Sequence, residues 1–250
     1  MNTTRSKVFA YLWLGLCVLV FMAPIAWMVL QSLKGPIDAI AVPPKFLFTP
    51  TLDNYVAVLG SRGFQEAFLG SLVVAVSSVG IGLVLGVPFA YALARLPVPG
   101  NEEISHFILS TKMLPAIVVI APLVQVYRQL GILDTHVGLI LAHILIVLVD
   151  GIPLPRTFVS IILPIAVPGL VTVAALSFIL SWNDLFFALT LTSSRVKTLP
   201  LFMGTEYVGF LAVDWGKLSA AGLLAIAPIV VLVLVLQRYL VRGLAMGAVK

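Results

Sequence analysis

Few residues of this 250-residue chain are equipped for chemistry, and most of those stand among apolar neighbours. The most informative polar cluster near membrane depth is Trp182-Asn183-Asp184, set between two apolar stretches. A carboxylate near membrane depth is costly unless paired or watered, so Asp184 is expected either to line a cavity or to cap a helix end. Lys112 lies one or two turns inside another apolar run, where an ammonium either snorkels to the headgroups or faces an internal polar path. His106, His136 and His143 fall in separate segments without metal-ligand spacing, and each reads as an interfacial or packed imidazole. The single cysteine, Cys17, excludes an intrachain disulfide and a multi-cysteine metal site, and reads as a small packing residue. No glycine-rich phosphate loop ending in Gly-Lys-Ser/Thr occurs, and no nucleophile has a convincing partner. The residues describe a conduit rather than an enzyme, with no metal or cofactor of its own and its energy supplied by another subunit.

The rest of the composition agrees. Hydrophobic residues make up 61% of the chain and charged ones 10%, with a mean hydropathy of +1.14. A soluble domain carries roughly 25% charged residues, so this chain cannot cover its surface with polar groups and its solvent is lipid. The net charge of +5 suits anionic headgroups. Its fifteen cations are scattered, with no basic cluster interleaved with aromatics, which argues against nucleic acid.

A membrane crossing needs about 20 mostly apolar residues. Spans are expected at about 8–33, 66–93, 106–130, 138–149, 158–180 and 218–240, giving an all-α polytopic membrane protein with one permease domain over 1–250. Tyr11, Trp13 and Trp27 lie towards the ends of the first span, as interfacial anchors do. Gly82 and Gly86 in the second form a small-residue face for close helix approach. The third holds Lys112, Pro115 and Pro122. A polar hinge from Asp150, with the cation Arg156, leads into a fifth span interrupted early by Pro164 and Pro168; lipid tolerates that where neighbouring helices compensate. Six spans put both termini on one side. Seven cations fall on each side, but the outer segments are longer and count less, so the short basic termini favour a cytoplasmic placement for both.

Several stretches together resemble the carbohydrate permeases of ABC importers, specifically the smaller, maltose-type second permease. They are Gln31-Ser-Leu-Lys34, Thr51-Leu-Asp-Asn-Tyr55, Pro88-Phe-Ala-Tyr-Ala-Leu-Ala-Arg95, Lys112-Met-Leu-Pro115, Leu130-Gly-Ile-Leu-Asp-Thr-His136, Trp182-Asn-Asp184 and the terminus from Leu240 to Lys250. Gly151, then Ile161, then Leu163-Pro164 match the downstream half of the cytoplasmic loop by which such permeases grip their ATPase. The resemblance covers essentially the whole length and implies the MetI-like permease fold in a bacterial inner membrane. It implies a homologous second permease, a homodimeric ATPase that holds the ATP and Mg, and an extracytoplasmic sugar-binding protein. ATP binding would rock the spans between inward- and outward-facing states. By the same resemblance, Asp150, Gly151, Ile161, Leu163 and Pro164 are the remnant of the ATPase-coupling loop. Lys112, Trp182, Asn183 and Asp184 are candidates near the translocation path. The segment 193–217, with Gly204, Thr205, Glu206 and Tyr207, would face the binding protein.

One departure stands out. The family's loop signature opens Glu-Ala-Ala, where this chain has Leu145, Ile146 and Val147. The fourth apolar run, Gly138 to Val149, reaches only roughly 18 Å against a hydrocarbon core of about 30 Å. Both deficits meet near Leu148-Val149, where on the order of 25 residues are missing: about 8 to finish the crossing, the rest a coupling helix. Either the sequence as written omits a segment, or the protein carries a deletion and loses the ATPase's main handle. Two other functions compete: an ion-coupled secondary transporter, for which Asp184 and Lys112 are thin support, and a non-transporting membrane scaffold, which a true deletion would favour.

Overall fold

The computed structural model describes residues 3–113, 115–148, 163–209 and 212–248. Asp150, Gly151 and Ile161 lie outside them. Regular structure among the described residues is helical: α1 (Thr3–Ser32), α2 (Pro36–Ala39), α3 (Asp53–Gly60), α4 (Arg62–Arg95), α5 (Asn101–Met113), α6 (Ala116–Gln129), α7 (His136–Leu148), α8 (Leu163–Trp182), α9 (Phe186–Leu191), α10 (Leu199–Glu206) and α11 (Trp215–Ala248). Among the described residues three helices are long and apolar enough to cross a membrane, over Lys7–Ser32, Arg62–Leu93 and Trp215–Tyr239. Shorter apolar helical segments cover Ile117–Gln129 and Gly169–Trp182. Pro24, Pro88, Pro122 and Pro228 sit inside α1, α4, α6 and α11.

The stretch expected to be the third span, His106 to Leu130, takes in most of α5 and all of α6. Pro115 stands at the N-cap of α6. A proline lacks the N–H that would bond back one turn, so it suits the start of α6 better than a helix interior. The stretch expected to be the fourth span begins at His136 and is helical to Leu148. Thirteen residues rise about 20 Å.

The chain divides into two compact units, residues 1–64 with 203–227 and residues 65–202 with 228–250. In the first, α1 exposes apolar side chains all round, Phe9, Tyr11 and Phe21 each being more than two-thirds exposed. That surface is matched to lipid. Its C-terminal end is finished by polar groups from the following segment. Asn54 Nδ2 donates to the carbonyls of Ser32 (2.9 Å) and Lys34 (2.8 Å), and the Thr51 amide donates to Leu33 O (2.9 Å). These bonds supply partners to carbonyls that a helix end leaves open. Lys34, expected as a flanking cation, is only 2% exposed and lies 4.9 Å from the Trp27 ring and 5.5 Å from Phe48. The aromatic faces supply the attraction that water would otherwise give the ammonium.

In the second unit, one core joins Val74 of α4, Ile120 and Tyr127 of α6, Leu139 and Ala142 of α7, Leu191 of α9, and Val196. The buried stripe of α4 runs through Ala67, Ser71, Val74, Ser78, Gly82 and Gly86, mostly small residues at three- and four-residue spacing. Gly82 and Gly86 are thus buried in that stripe. In lipid, burying apolar groups brings little gain, because tails are as apolar as leucine; close packing and polar bonds hold helices together.

Candidate functional site

Two aspartates organise the part of the second unit where α6, α7 and α9 meet. Asp134 lies in the turn from α6 to α7 with φ of 57°, in the left-handed region that Asp and Asn enter more readily than most residues. The turn begins at Gly131, which has φ of 68°. This backbone reversal lets Asp134 N donate to Leu191 O at 2.9 Å while its side chain meets the segment after α9. Five donors converge on the carboxylate. The amides of Ser193 (3.0 Å) and Val196 (3.3 Å) reach Oδ1, and the amides of Ser194 and Arg195 (3.1 Å each) and the Ser193 hydroxyl (2.7 Å) reach Oδ2. Successive backbone N–H groups aimed at one anion form a nest. Partial burial pushes the Asp134 pKa up, but the bonds from Ser193, Ser194 and Arg195 outweigh it and hold the carboxyl well below the usual carboxylate range.

The same segment is rooted at its other end. Leu199 N donates to Ser71 Oγ at 2.7 Å. The Lys197 carbonyl lies so close to Gly70 that a Cβ there would sit 2.7 Å from its oxygen, so only glycine fits without a shift. Thr135 Oγ1 accepts from Gly138 N at 3.1 Å and so caps the first turn of α7.

Asp184 does a related task. Its Oδ2 accepts from the amides of Phe187 (3.1 Å) and Ala188 (3.3 Å), capping α9. The helix-capping alternative is therefore realised. A partner that the sequence did not suggest sits beside it: His143 Nε2 is 3.5 Å from the same Oδ2. His143 is 1% exposed, and its Nδ1 is 2.7 Å from Leu139 O. A carbonyl only accepts, so Nδ1 carries the hydrogen. A neutral ring then turns the Nε2 lone pair towards Asp184, and the contact is attractive only when the pair holds one more proton. Nε2 has no hydrogen bond of ordinary length, which fits a loose contact rather than a strong ion pair. The spacing of 41 residues between His143 and Asp184 gave no sequence signal for this meeting.

The other expected residues are placed as follows. Trp182 is 2% exposed, edge-on to Phe68 and stacked on Phe178. Asn183 is exposed, with Nδ2 donating to Ile179 O at 2.8 Å. Lys112 is in α5, Leu163 and Pro164 open α8, and their side chains lie outside the described residues. Gly204, Thr205 and Glu206 are exposed at the end of α10, whereas Tyr207 is buried. Burial first, then the charges of Glu206 and Asp214, push the Tyr207 phenol up to about 12, so it stays neutral. Among the described residues no group of three or more His, Cys, Asp or Glu could hold a metal ion.

Long apolar helices joined by polar turns make this a multi-pass membrane protein. No family model matches the chain. It is 32% identical to the probable ABC transporter permease protein y4oR of Sinorhizobium fredii over 277 aligned positions, covering 100% of this chain and 97% of that protein. It is also 32% identical to the trehalose transport system permease protein SugB of Mycobacterium tuberculosis, over 92% of each chain. The fold matches a crystal structure of a bacterial ABC transporter involved in importing the acidic polysaccharide alginate, with a TM-score of 0.73 and 22% identity over 96% of this chain and 99% of that one. The chain belongs to the permease subunits of ABC transporters, and relatives among them are sugar permeases. It is a transport subunit, not an enzyme.

Proposed function

We infer that this chain is the permease subunit of an ATP-driven, binding-protein-dependent sugar importer, forming half of the translocation path with a homologous permease. The observation that carries it is the end-to-end match to ABC permeases, with SugB, a trehalose permease, among the relatives. A homodimeric ATPase holds ATP and Mg, and an extracytoplasmic receptor delivers the sugar. The chain crosses the bacterial inner membrane six times with both termini cytoplasmic: α1, α4, α5 with α6, α7, α8 and α11. Lys112, Trp182, Asn183 and Asp184 stand near the path. Support for Asp184 is its chemistry: its described bonds all fall on Oδ2, leaving Oδ1 lone pairs for a hydroxyl. Gly204, Thr205, Glu206 and Tyr207 belong to the receptor-facing segment.

In the sequence as written the fourth crossing is truncated and the coupling loop is left as Asp150, Gly151, Ile161, Leu163 and Pro164, either because a segment is omitted or because the protein carries a deletion. An alignment of 277 positions against 250 residues leaves at least 27 positions of the relative's length with no counterpart here. The SugB alignment, 254 positions against the 230 residues that 92% of this chain amounts to, leaves about 24. Both support the deficit inferred from the short fourth run.

The test is co-reconstitution with a second permease, an ATPase and a receptor in proteoliposomes, measuring uptake of trehalose. Uptake that requires both ATP and receptor is expected once about 27 residues are restored after Leu148. Uptake that survives ATP depletion but not collapse of the proton gradient would favour an ion-coupled carrier. Purification with no ATPase, even from the restored chain, would leave a scaffold. A cysteine at Gly151 probes the deletion itself: efficient crosslinking to the ATPase with full transport by the 250-residue chain would refute it.

A further inference from the structure

The segment after α9 is polar and exposed at Ser193, Ser194, Arg195 and Lys197, yet four consecutive amides, Ser193 to Val196, are all committed to one carboxylate from a different turn. A loop of this kind normally leaves its amides to water. Binding them inward fixes the direction of the side chains that alternate with them. Val196 points into the core, while the side chains of Arg195 and Lys197 are exposed. Arg128 is exposed in the last turn of α6, just before the turn that carries Asp134. No ion pair is found for these three cations among the described residues, and Asp134, the acid beside them, is already saturated by five donors. The anchoring of Leu199 N on Ser71 holds the far end, so the segment 193–199 has little freedom to fold its cations away.

We propose that Asp134 is a positioning residue for receptor docking: its carboxylate holds the 193–196 backbone so that Arg195 and Lys197 form a cationic face for an acidic patch on the extracytoplasmic sugar-binding protein. This rests on the importer function proposed above, which puts the segment on the outer side. The partner is acidic because two unpaired, outward cations on a rigid loop repel a basic surface and gain from a carboxylate-bearing one. Rim charges of this type set encounter rate and salt dependence more than the chemistry that follows, so the effect belongs in the receptor concentration needed and not in the maximal turnover.

The experiment uses the restored assembly in proteoliposomes and titrates receptor against ATPase stimulation, with hydrogen exchange of the 193–196 amides measured on the same preparations. Asp134→Ala should raise the half-saturating receptor concentration about tenfold while the rate at saturating receptor changes by less than about twofold. It should also abolish the protection of those amides. Asp134→Asn, which keeps one acceptor oxygen, should fall between. The double variant Arg195→Glu with Lys197→Glu should show the same rise with amide protection intact, and should lose most of the salt dependence seen in the parent. The proposal is overturned if the double variant leaves half-saturation unchanged, or if Asp134→Ala lowers the maximal rate without moving it. An assembly whose ATPase ignores every receptor even with Asp134 intact overturns the importer function, and docking with it; amide exchange still reports separately whether Asp134 organises the loop.

Discussion

Asp134 and Asp184 are fifty residues apart, both accept from backbone amides, and both sit in turns between helices, Asp134 between α6 and α7 and Asp184 between α8 and α9. Their surroundings differ. Asp134 has five donors spread over two oxygens and lies in an aqueous turn. Asp184 has two amides and a buried imidazole at 3.5 Å, all on one oxygen. The first is a closed arrangement with nothing left to offer a ligand. The second is half-filled, next to an imidazole whose Nε2 has no hydrogen-bond partner. The two carboxylates differ in how much of their acceptor capacity the described bonds take up, one on both oxygens and the other on a single oxygen.

The comparison breaks most readily on stability. Replacing Asp134 by Ala strips the acceptor from four amides and a hydroxyl. Charge-assisted bonds contribute about 1.5–3 kcal/mol each, but they share one group and water can reach the loop, so a loss of about 3 kcal/mol is expected rather than a sum. Replacing Asp184 by Ala removes a helix cap, an expected loss of about 1–2 kcal/mol. Thermal unfolding of the purified protein in detergent orders the two, and equal losses would erase the distinction.

Acid sharpens the same contrast. The Asp134 carboxyl in the folded chain titrates well below its unfolded value of about 3.9. Its contribution is therefore fully present above that unfolded value and is lost as pH falls through the lower, folded one. Amide protection factors at Ser193–Val196 should be flat from neutral pH to about 4.5 and decline only in stronger acid. A decline centred near pH 6 would mean that the carboxylate is not what holds them.

How much of this was legible depends on whether the signal was local. The lipid-facing helices were, because their hydropathy alone requires lipid. The stretches Gln31–Lys34 and Thr51–Tyr55 could be recognised as characteristic, but not that they meet, with Asn54 closing the end of α1 over Ser32 and Lys34. Gly131-Ile-Leu-Asp134 was recognisable in the same way, yet its purpose lies 59 to 62 residues on, at Ser193–Val196. Asp184 as a helix cap was open to sequence reasoning, since its acceptors' donors are three and four residues away. His143 was not, because a buried imidazole announces neither its partner nor its depth. Pro115 was in plain view within the expected third span, but not that a separate helix would start at it, since in lipid a proline can bend a helix as well as end it.

The smallest expected effect concerns His143. If it formed a strong ion pair with Asp184, removing one partner would leave an uncompensated buried charge and cost about 3–5 kcal/mol. The geometry argues otherwise: 3.5 Å is long for a hydrogen bond, and Nδ1 is occupied by the Leu139 carbonyl, which α7 can serve through its own backbone. His143→Leu fills a similar volume against Phe187 and removes an unpartnered polar atom, so stability should change by less than about 1 kcal/mol. Combining it with Asp184→Asn in a double-mutant cycle should give a coupling of no more than about 0.5 kcal/mol. A coupling of several kcal/mol would show that the pair is as closed as Asp134 and its amides, and Asp184 would then have nothing to spare for a passing hydroxyl.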